Sequence, residues 1–399
     1  MSRLRVVALV VAALAAGACG GGKAKQGPKS AESGLPPANP LAVQRMVEGV
    51  AAAKDPKDPK GRTRAIALFR EAIQIDPNLW EARFNLGVVL ASAGDLAHAE
   101  EQLKAAAKTA PEREEVAVAL AEVRRRRGSN KEAASTLDDF VKEHPGALDA
   151  RTLLVAALRD SGQHDKAIAQ AREVLVRKPG DATALAELAL CHLGKGERDT
   201  AQLLVKQSLD VNAKSAIAHR VQGLVSLAGG DDAAAFQAFS KAAQEDPHDT
   251  TSRLNMGAVL LRAGSYAKAA EQYKSALAAS PEEATAQLGL AAALRGESGN
   301  KDARLIEEAR SLLEKVLERD PHNVAALFNM GLLQAESLKR PAEAKGYFER
   351  FLDDAPRDHP ARAEAERQLT GAKNAAAAPA PPPPPPPAPA PKAPAKGGK

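Results

Sequence analysis

Between residues 80 and 111 the apolar positions rise and fall twice with helical spacing. Phe84, Leu86, Val89 and Leu90 mark the inner face of one helix, and Leu96, Ala99, Leu103 and Ala106 that of a second. Gly94 stands between them, where a residue free to take the left-handed conformation stops a helix, and Asp95 follows as a helix starter. Pro111 ends the second helix because it has no N–H to continue the ladder. Two helices of about a dozen residues cannot bury both faces alone, so the pattern predicts stacking against further copies.

The copies are present. Prolines stand at 77, 111, 145, 179, 247 and 281, a step of 34 residues in which Ala213 replaces one member. Glycines at 94, 128, 162, 196, 230 and 264 keep the same period, and so do alanines at 65, 99, 133, 167, 201, 235 and 269. Three markers on one period identify a repeat protein. Small pairs such as Gly87/Ala99 and Gly223/Ala235 let paired helices approach closely. Nine units are expected, closing at Pro77, Pro111, Pro145, Pro179, Ala213, Pro247, Pro281, Pro321 and Pro356. The first carries extra residues in the loop 54–64, the eighth about six around Gly299–Leu305, and the ninth one near Leu338. Insertions in the turns between paired helices leave the stacking faces intact. Residues 360–373 read as a solubilising last helix.

Leu86-Gly87, Leu90, Gly94, Ala99, Leu103, Ala106 and Pro111 resemble the tetratricopeptide (TPR) pattern, as does the run Asn255-Met256-Gly257 through Tyr266, Ala269, Tyr273, Ala276 and Pro281. The resemblance spans about five-sixths of the chain. It implies an all-α fold, a right-handed TPR superhelix or α-solenoid of about nine helix-turn-helix repeats occupying residues 41–373.

Outside the repeats the chain changes character. Residues 1–18 place Arg3 and Arg5 before an apolar run from Val6 to about Ala16, the order of a secretory signal and too short to span a bilayer. Ala16-Gly17-Ala18-Cys19 resembles the lipobox of bacterial lipoproteins, although that family usually has Leu where Ala16 stands. The resemblance implies cleavage before Cys19 and lipidation of its thiol, and Gly20 in place of Asp implies an outer-membrane address. Residues 19–40 read as a flexible tether, and 374–399, with seven consecutive prolines, as a disordered Pro/Ala-rich tail favouring polyproline II. The tail could touch peptidoglycan through its lysines, or serve only as a solubilising spacer.

The formal charge of +5 does not signal nucleic acid, because the surplus lies in the leader, tether and tail; residues 41–373 carry −2. With Cys19 lipidated, Cys191 has no partner and reads as a small buried hydrophobe. His248 and His322 follow closing prolines as turn residues, and His192 and His219 lie on first helices without a ligand set. No catalytic residues, cofactor or metal are expected, and the chain reads as a non-enzyme.

In the TPR family the first helix of each unit lines the concave groove, chiefly through its second, fifth, ninth and twelfth positions. Carried onto this sequence, the partner-binding candidates are Phe84, Val88, Arg125, Arg159, Leu190, Leu193, Leu224, Leu227, Leu254, Leu261 and Phe328. They make the expected groove basic near Arg125 and Arg159 and apolar from Leu190 to Leu261. The leucines could instead pack between neighbouring first helices. The run Arg124–Arg127 reads as a solvated helix end favourable to the dipole, or as a site for an acidic partner.

The expected function is a membrane-anchored scaffold that recruits other proteins or peptide segments of an envelope complex through this groove, periplasm-facing at the bacterial outer membrane. The architecture is similar to TPR lipoproteins of pilus assembly, outer-membrane barrel insertion, peptidoglycan-enzyme regulation or gliding motility. The alternative is a periplasmic holdase for extended clients.

Overall fold

A computed structural model describes residues 37–55 and 58–377. The leader, Cys19, most of the tether and the tail beyond Ala377 lie outside the described residues. Among those described, every regular element is a helix. The order is α1 (Pro40–Lys54), α2 (Gly61–Ile75), α3 (Trp80–Ser92), α4 (Leu96–Thr109), α5 (Glu114–Arg126) and α6 (Asn130–Glu143). There follow α7 (Leu148–Asp160), α8 (His164–Arg177), α9 (Ala182–Gly194), α10 (Arg198–Val211), α11 (Ala216–Ala228) and α12 (Asp232–Glu245). The chain continues with α13 (Thr250–Arg262), α14 (Tyr266–Ala279), α15 (Ala284–Ser298), α16 (Ala303–Arg319), α17 (Val324–Leu332), α18 (Pro341–Asp354) and α19 (Arg362–Ala377). Odd-numbered helices up to α17 are the first of a pair and even-numbered ones the second, so nine units precede α19, which runs past Lys373. No described helix is long and apolar enough to cross a membrane.

The turn inside each unit follows from its glycine. Gly94 has φ +92°, and around it the Asp95 N–H bonds the Leu90 carbonyl at 3.0 Å while the Gly94 N–H bonds Ala91 at 3.2 Å. This pair of bonds satisfies carbonyls that the end of α3 would otherwise leave open. Asp95 then caps α4 by accepting from the His98 N–H at 3.3 Å.

Four of the turns between units use an acidic or amide residue before the closing position. Asp76, Asn212, Asp246 and Asp320 each accept a backbone N–H two residues on, at 3.0 to 3.2 Å. Asn212 explains why the unit closing at Ala213 needs no proline: its side chain makes the turn by itself. The fourth residue of the next first helix then bonds the carbonyl of the closing position. Arg83 reaches Pro77, His219 reaches Ala213 and Gln287 reaches Pro281, at 2.9 to 3.1 Å.

The chain forms two compact units, one up to Val259 and one from Leu260. In the first, one core runs from α1 to α5 around Met46, Phe69, Phe84 and Leu103, and others follow around Leu154 and Phe239. Gly87 is required by that packing: a Cβ there would lie 2.6 Å from Leu103 Cγ and 3.2 Å from the Ala99 carbonyl. The second unit has a core around Leu327, Phe348 and Phe351, and α19 contributes Ala365 and Ala372 to it.

The insertions do not sit where the sequence suggests. In the eighth unit, α15 has 15 residues against the regular 13 and α16 has 17 against 14, so only one extra residue enters the turn. In the ninth, the added residue lies inside the first helix, where α17 continues as a π-helical turn over Leu333–Ser337. A helix can absorb one residue this way without rotating the faces on either side.

Candidate protein-interaction face

The first helices of the compact unit ending at Val259 are neighbours in order, α3 beside α5, α5 beside α7, α7 beside α9 and α9 beside α11. Their candidate residues divide into three groups.

Phe84 and Val88 are not surface residues. They are 0% and 6% exposed and belong to the core, with the Phe84 ring 6.3 Å from that of Trp80 in an edge-on contact. The reason lies in α3 itself, which is buried at every position from Phe84 to Ala91; a helix apolar on all sides is enclosed by its neighbours. These two positions are withdrawn from the binding face.

Arg125 and Arg159 do not make the face basic. Arg125 donates to Asp160 Oδ2 at 3.1 and 2.5 Å and to Glu122 Oε2 at 2.9 Å. Arg159 donates to Asp160 Oδ1 at 2.8 Å and meets Glu187 Oε2 at 3.1 Å. Burial opposes the charged forms, but the pairing outweighs it: Glu122 and Asp160 hold the Arg125 guanidinium above its usual range, and Arg159 and Arg125 hold the Asp160 carboxyl below. These are staples from one first helix to the next. Arg220 repeats the device, with Nη1 at 3.0 Å from both oxygens of Asp249, whose side chain is 4% exposed.

The arginine run at the end of α5 is structural in the same sense. Arg124 and Arg127 both meet Glu100 on α4, where Lys104 also pairs at 2.7 Å, and Arg126 donates to the Ala91 carbonyl at 2.8 Å. Glu100 is 7% exposed on its side chain. Burial would raise its pKa, but the bonds from Lys104, Arg124 and Arg127 pull it down to about 2. Sequence reasoning missed Glu100, whose only signal was a charge on the inner side of a second helix.

The leucines form the third group. Leu190 and Leu193 on α9 are partly buried against Ala186, Ala189 and Val221. Leu224 and Leu227 on α11 are partly buried against Phe239, Met256 and Val259. Each therefore packs against the core and keeps part of its surface exposed. Leu254 on α13 is partly buried as well. In the second compact unit, Leu261 is partly buried, while the Phe328 ring lies 5.2 Å from Phe351 and 6.2 Å from Phe348, drawn into an aromatic cluster.

No group of three or more metal-ligating side chains gathers among the described residues. Cys191 is fully buried, and burial pushes its thiol up to about 12. His192, on α9, places Nδ1 2.5 Å from Glu197. His248 and His322 are exposed turn residues, and His322 Nδ1 lies 3.0 Å from Asp354.

An all-α solenoid of paired helices on a 34-residue period, with a glycine turn and a proline closure, defines a helical repeat protein. Models of the tetratricopeptide repeat match residues 62–123, then 118–182, 153–201, 186–250, 254–304 and 301–359. The chain belongs to the tetratricopeptide repeat family, whose fold is in general a scaffold for binding other proteins or peptides. No curated protein sequence matches it.

Among solved structures, a thermophilic TPR protein of Thermus thermophilus is 22% identical, with a TM-score of 0.41, covering 46% of this chain and 99% of its own. A tetratricopeptide repeat protein from Parabacteroides merdae is 17% identical, with a TM-score of 0.39, covering 74% and 99%. Pseudomonas aeruginosa PilF is 20% identical, with a TM-score of 0.47, covering 56% and 97%. The family assignment rests on the repeat models and the period, not on these pairs.

Proposed function

We propose that this chain is a lipid-anchored scaffold, held at the bacterial outer membrane by Cys19 and facing the periplasm, that gathers the partners of an envelope complex on its first-helix face. The observation that carries the binding part is the row Leu190, Leu193, Leu224, Leu227, each partly buried against the core and partly exposed, on adjacent first helices. The residual exposure of these four leucines on adjacent first helices supports this face as the place where another chain rests. The anchoring part is supported by the leader and the sequence Ala16-Gly17-Ala18-Cys19. Several acyl chains on one residue give stable attachment, since each buried methylene contributes about 0.8 kcal/mol.

The test combines fractionation with crosslinking in the intact envelope. The wild-type chain is expected in the outer-membrane fraction, and Cys19→Ala in the soluble periplasm; an unchanged distribution of Cys19→Ala refutes the anchor. Crosslinking is expected to trap one stoichiometric partner, lost on Leu224→Glu with helicity unchanged. Unaltered capture by Leu224→Glu refutes the face, and capture of a broad set of unfolded clients supports a holdase instead.

A further inference from the structure

The leucine row is one end of the face, and the other end carries two carboxylates, Glu81 and Glu115, that form no ion pair among the described residues. Glu81 on α3 and Glu115 on α5 both occupy the second position of a first helix, the same face as the leucines by helical geometry. Both are partly buried, and neither has an ion pair among the described residues. Burial pushes the Glu81 carboxyl above the usual range; its own backbone N–H and Arg113 oppose this, and Asp76 and Glu115 add to it. Negative charge is therefore crowded at this end. The staple network between them and the leucines contributes no excess: Arg125, Arg126 and Arg159 match Glu122, Asp160 and Glu187. Asp149, at the equivalent position of α7, lies near Lys178. The face thus passes from two carboxylates without ion pairs, across a neutral stretch, to the partly exposed leucines.

Taking the scaffold reading as its basis, we propose that this face docks an extended basic–apolar segment of a partner protein, its lysines or arginines against Glu81 and Glu115 and its apolar side chains between Leu190 and Leu227. Charge complementarity selects this occupant over an acidic or wholly apolar one, because closing the face over Glu81 and Glu115 without a cation would bury them unpaired. The geometry also sets a spacing. Packed helices lie about 8–10 Å apart, so two steps from α5 to α9 span roughly 20 Å. An extended chain covers about 3.3 Å per residue, which places the basic residues about six positions from the first apolar anchor.

The experiment uses the full chain and fluorescent peptides with a Lys-Lys pair about six residues before three spaced leucines. Fluorescence anisotropy is expected to show binding that weakens about tenfold when Lys-Lys becomes Glu-Glu, and that falls with added salt. The double variant Glu81→Lys/Glu115→Lys, with wild-type circular dichroism, is expected to reverse the preference. Equal affinity for the two peptides overturns the charge match, even where Leu190→Glu abolishes binding and so upholds the face. Should neither peptide bind, or Leu190→Glu leave binding unchanged, the face itself is overturned along with the match. The peptide exchange needs no protein variant, so a misfolded double variant leaves the comparison decisive.

Discussion

Glu100 shows how a single buried charge is held. Its carboxylate accepts from Lys104, Arg124 and Arg127, so its pKa in the fold, about 2, lies below the ordinary 4.5. A depressed carboxyl stabilises the fold above its unfolded pKa, and that contribution is lost as pH falls toward the folded value. Glu100→Gln is therefore expected to cost on the order of 2 kcal/mol at neutral pH, after a discount for solvent screening of the pairs. In urea titrations the gap from wild type should close between about pH 4.5 and about pH 2. A gap that stays constant over that range would show that packing, not charge, is what Glu100 supplies. The same residue-scale reckoning removes Arg125 and Arg159 from the list of free cations, since each is already committed to the next unit.

At the scale of the element, turns and insertions decide where the helices end. Six regular turns use a glycine with φ between +68° and +92°, but the ninth has Lys339 at φ +56°. The left-handed region costs a side-chain-bearing residue about 1–2 kcal/mol, so Lys339→Gly is expected to raise stability by about 1 kcal/mol after the entropy of glycine is subtracted. Thermal melting measures this; a lowered midpoint would mean that contacts of the lysine side chain outweigh the strain. The π turn over Leu333–Ser337 belongs to the same scale. It stores an inserted residue in the helix, where a turn insertion was expected, because the turn is fixed by its bonds while the helix can widen locally.

For the whole molecule, the 34-residue period means that each unit presents its neighbours with the same kind of surface. Deleting residues 112–145, one full period, is expected to leave a helical protein with unchanged ellipticity per residue and a lower urea midpoint. Deleting only 112–128 puts a second helix where a first one is needed, and loss of cooperative unfolding is expected. If both deletions behave alike, the units are not interchangeable in the way the period implies. The deletion of a full period also brings Glu81 one helix nearer the leucines, which links this scale to the proposed partner spacing.

The sequence by itself determined the helices, their pairing, the regular glycine turns and the count of units, because these depend on spacing and on the local chemistry of glycine, proline and caps. It also placed Leu190, Leu193, Leu224 and Leu227 at equivalent positions of first helices, since such a position is fixed by periodicity. Tertiary structure alone decided which of those positions remain open. Phe84 and Val88 share the spacing of Leu190 but are enclosed on every side. Arg125 shares the type of an anion-binding residue but meets Asp160, 35 positions away. Burial and charge neutralisation depend on what neighbouring units bring, and a pattern read along one chain cannot supply that sum.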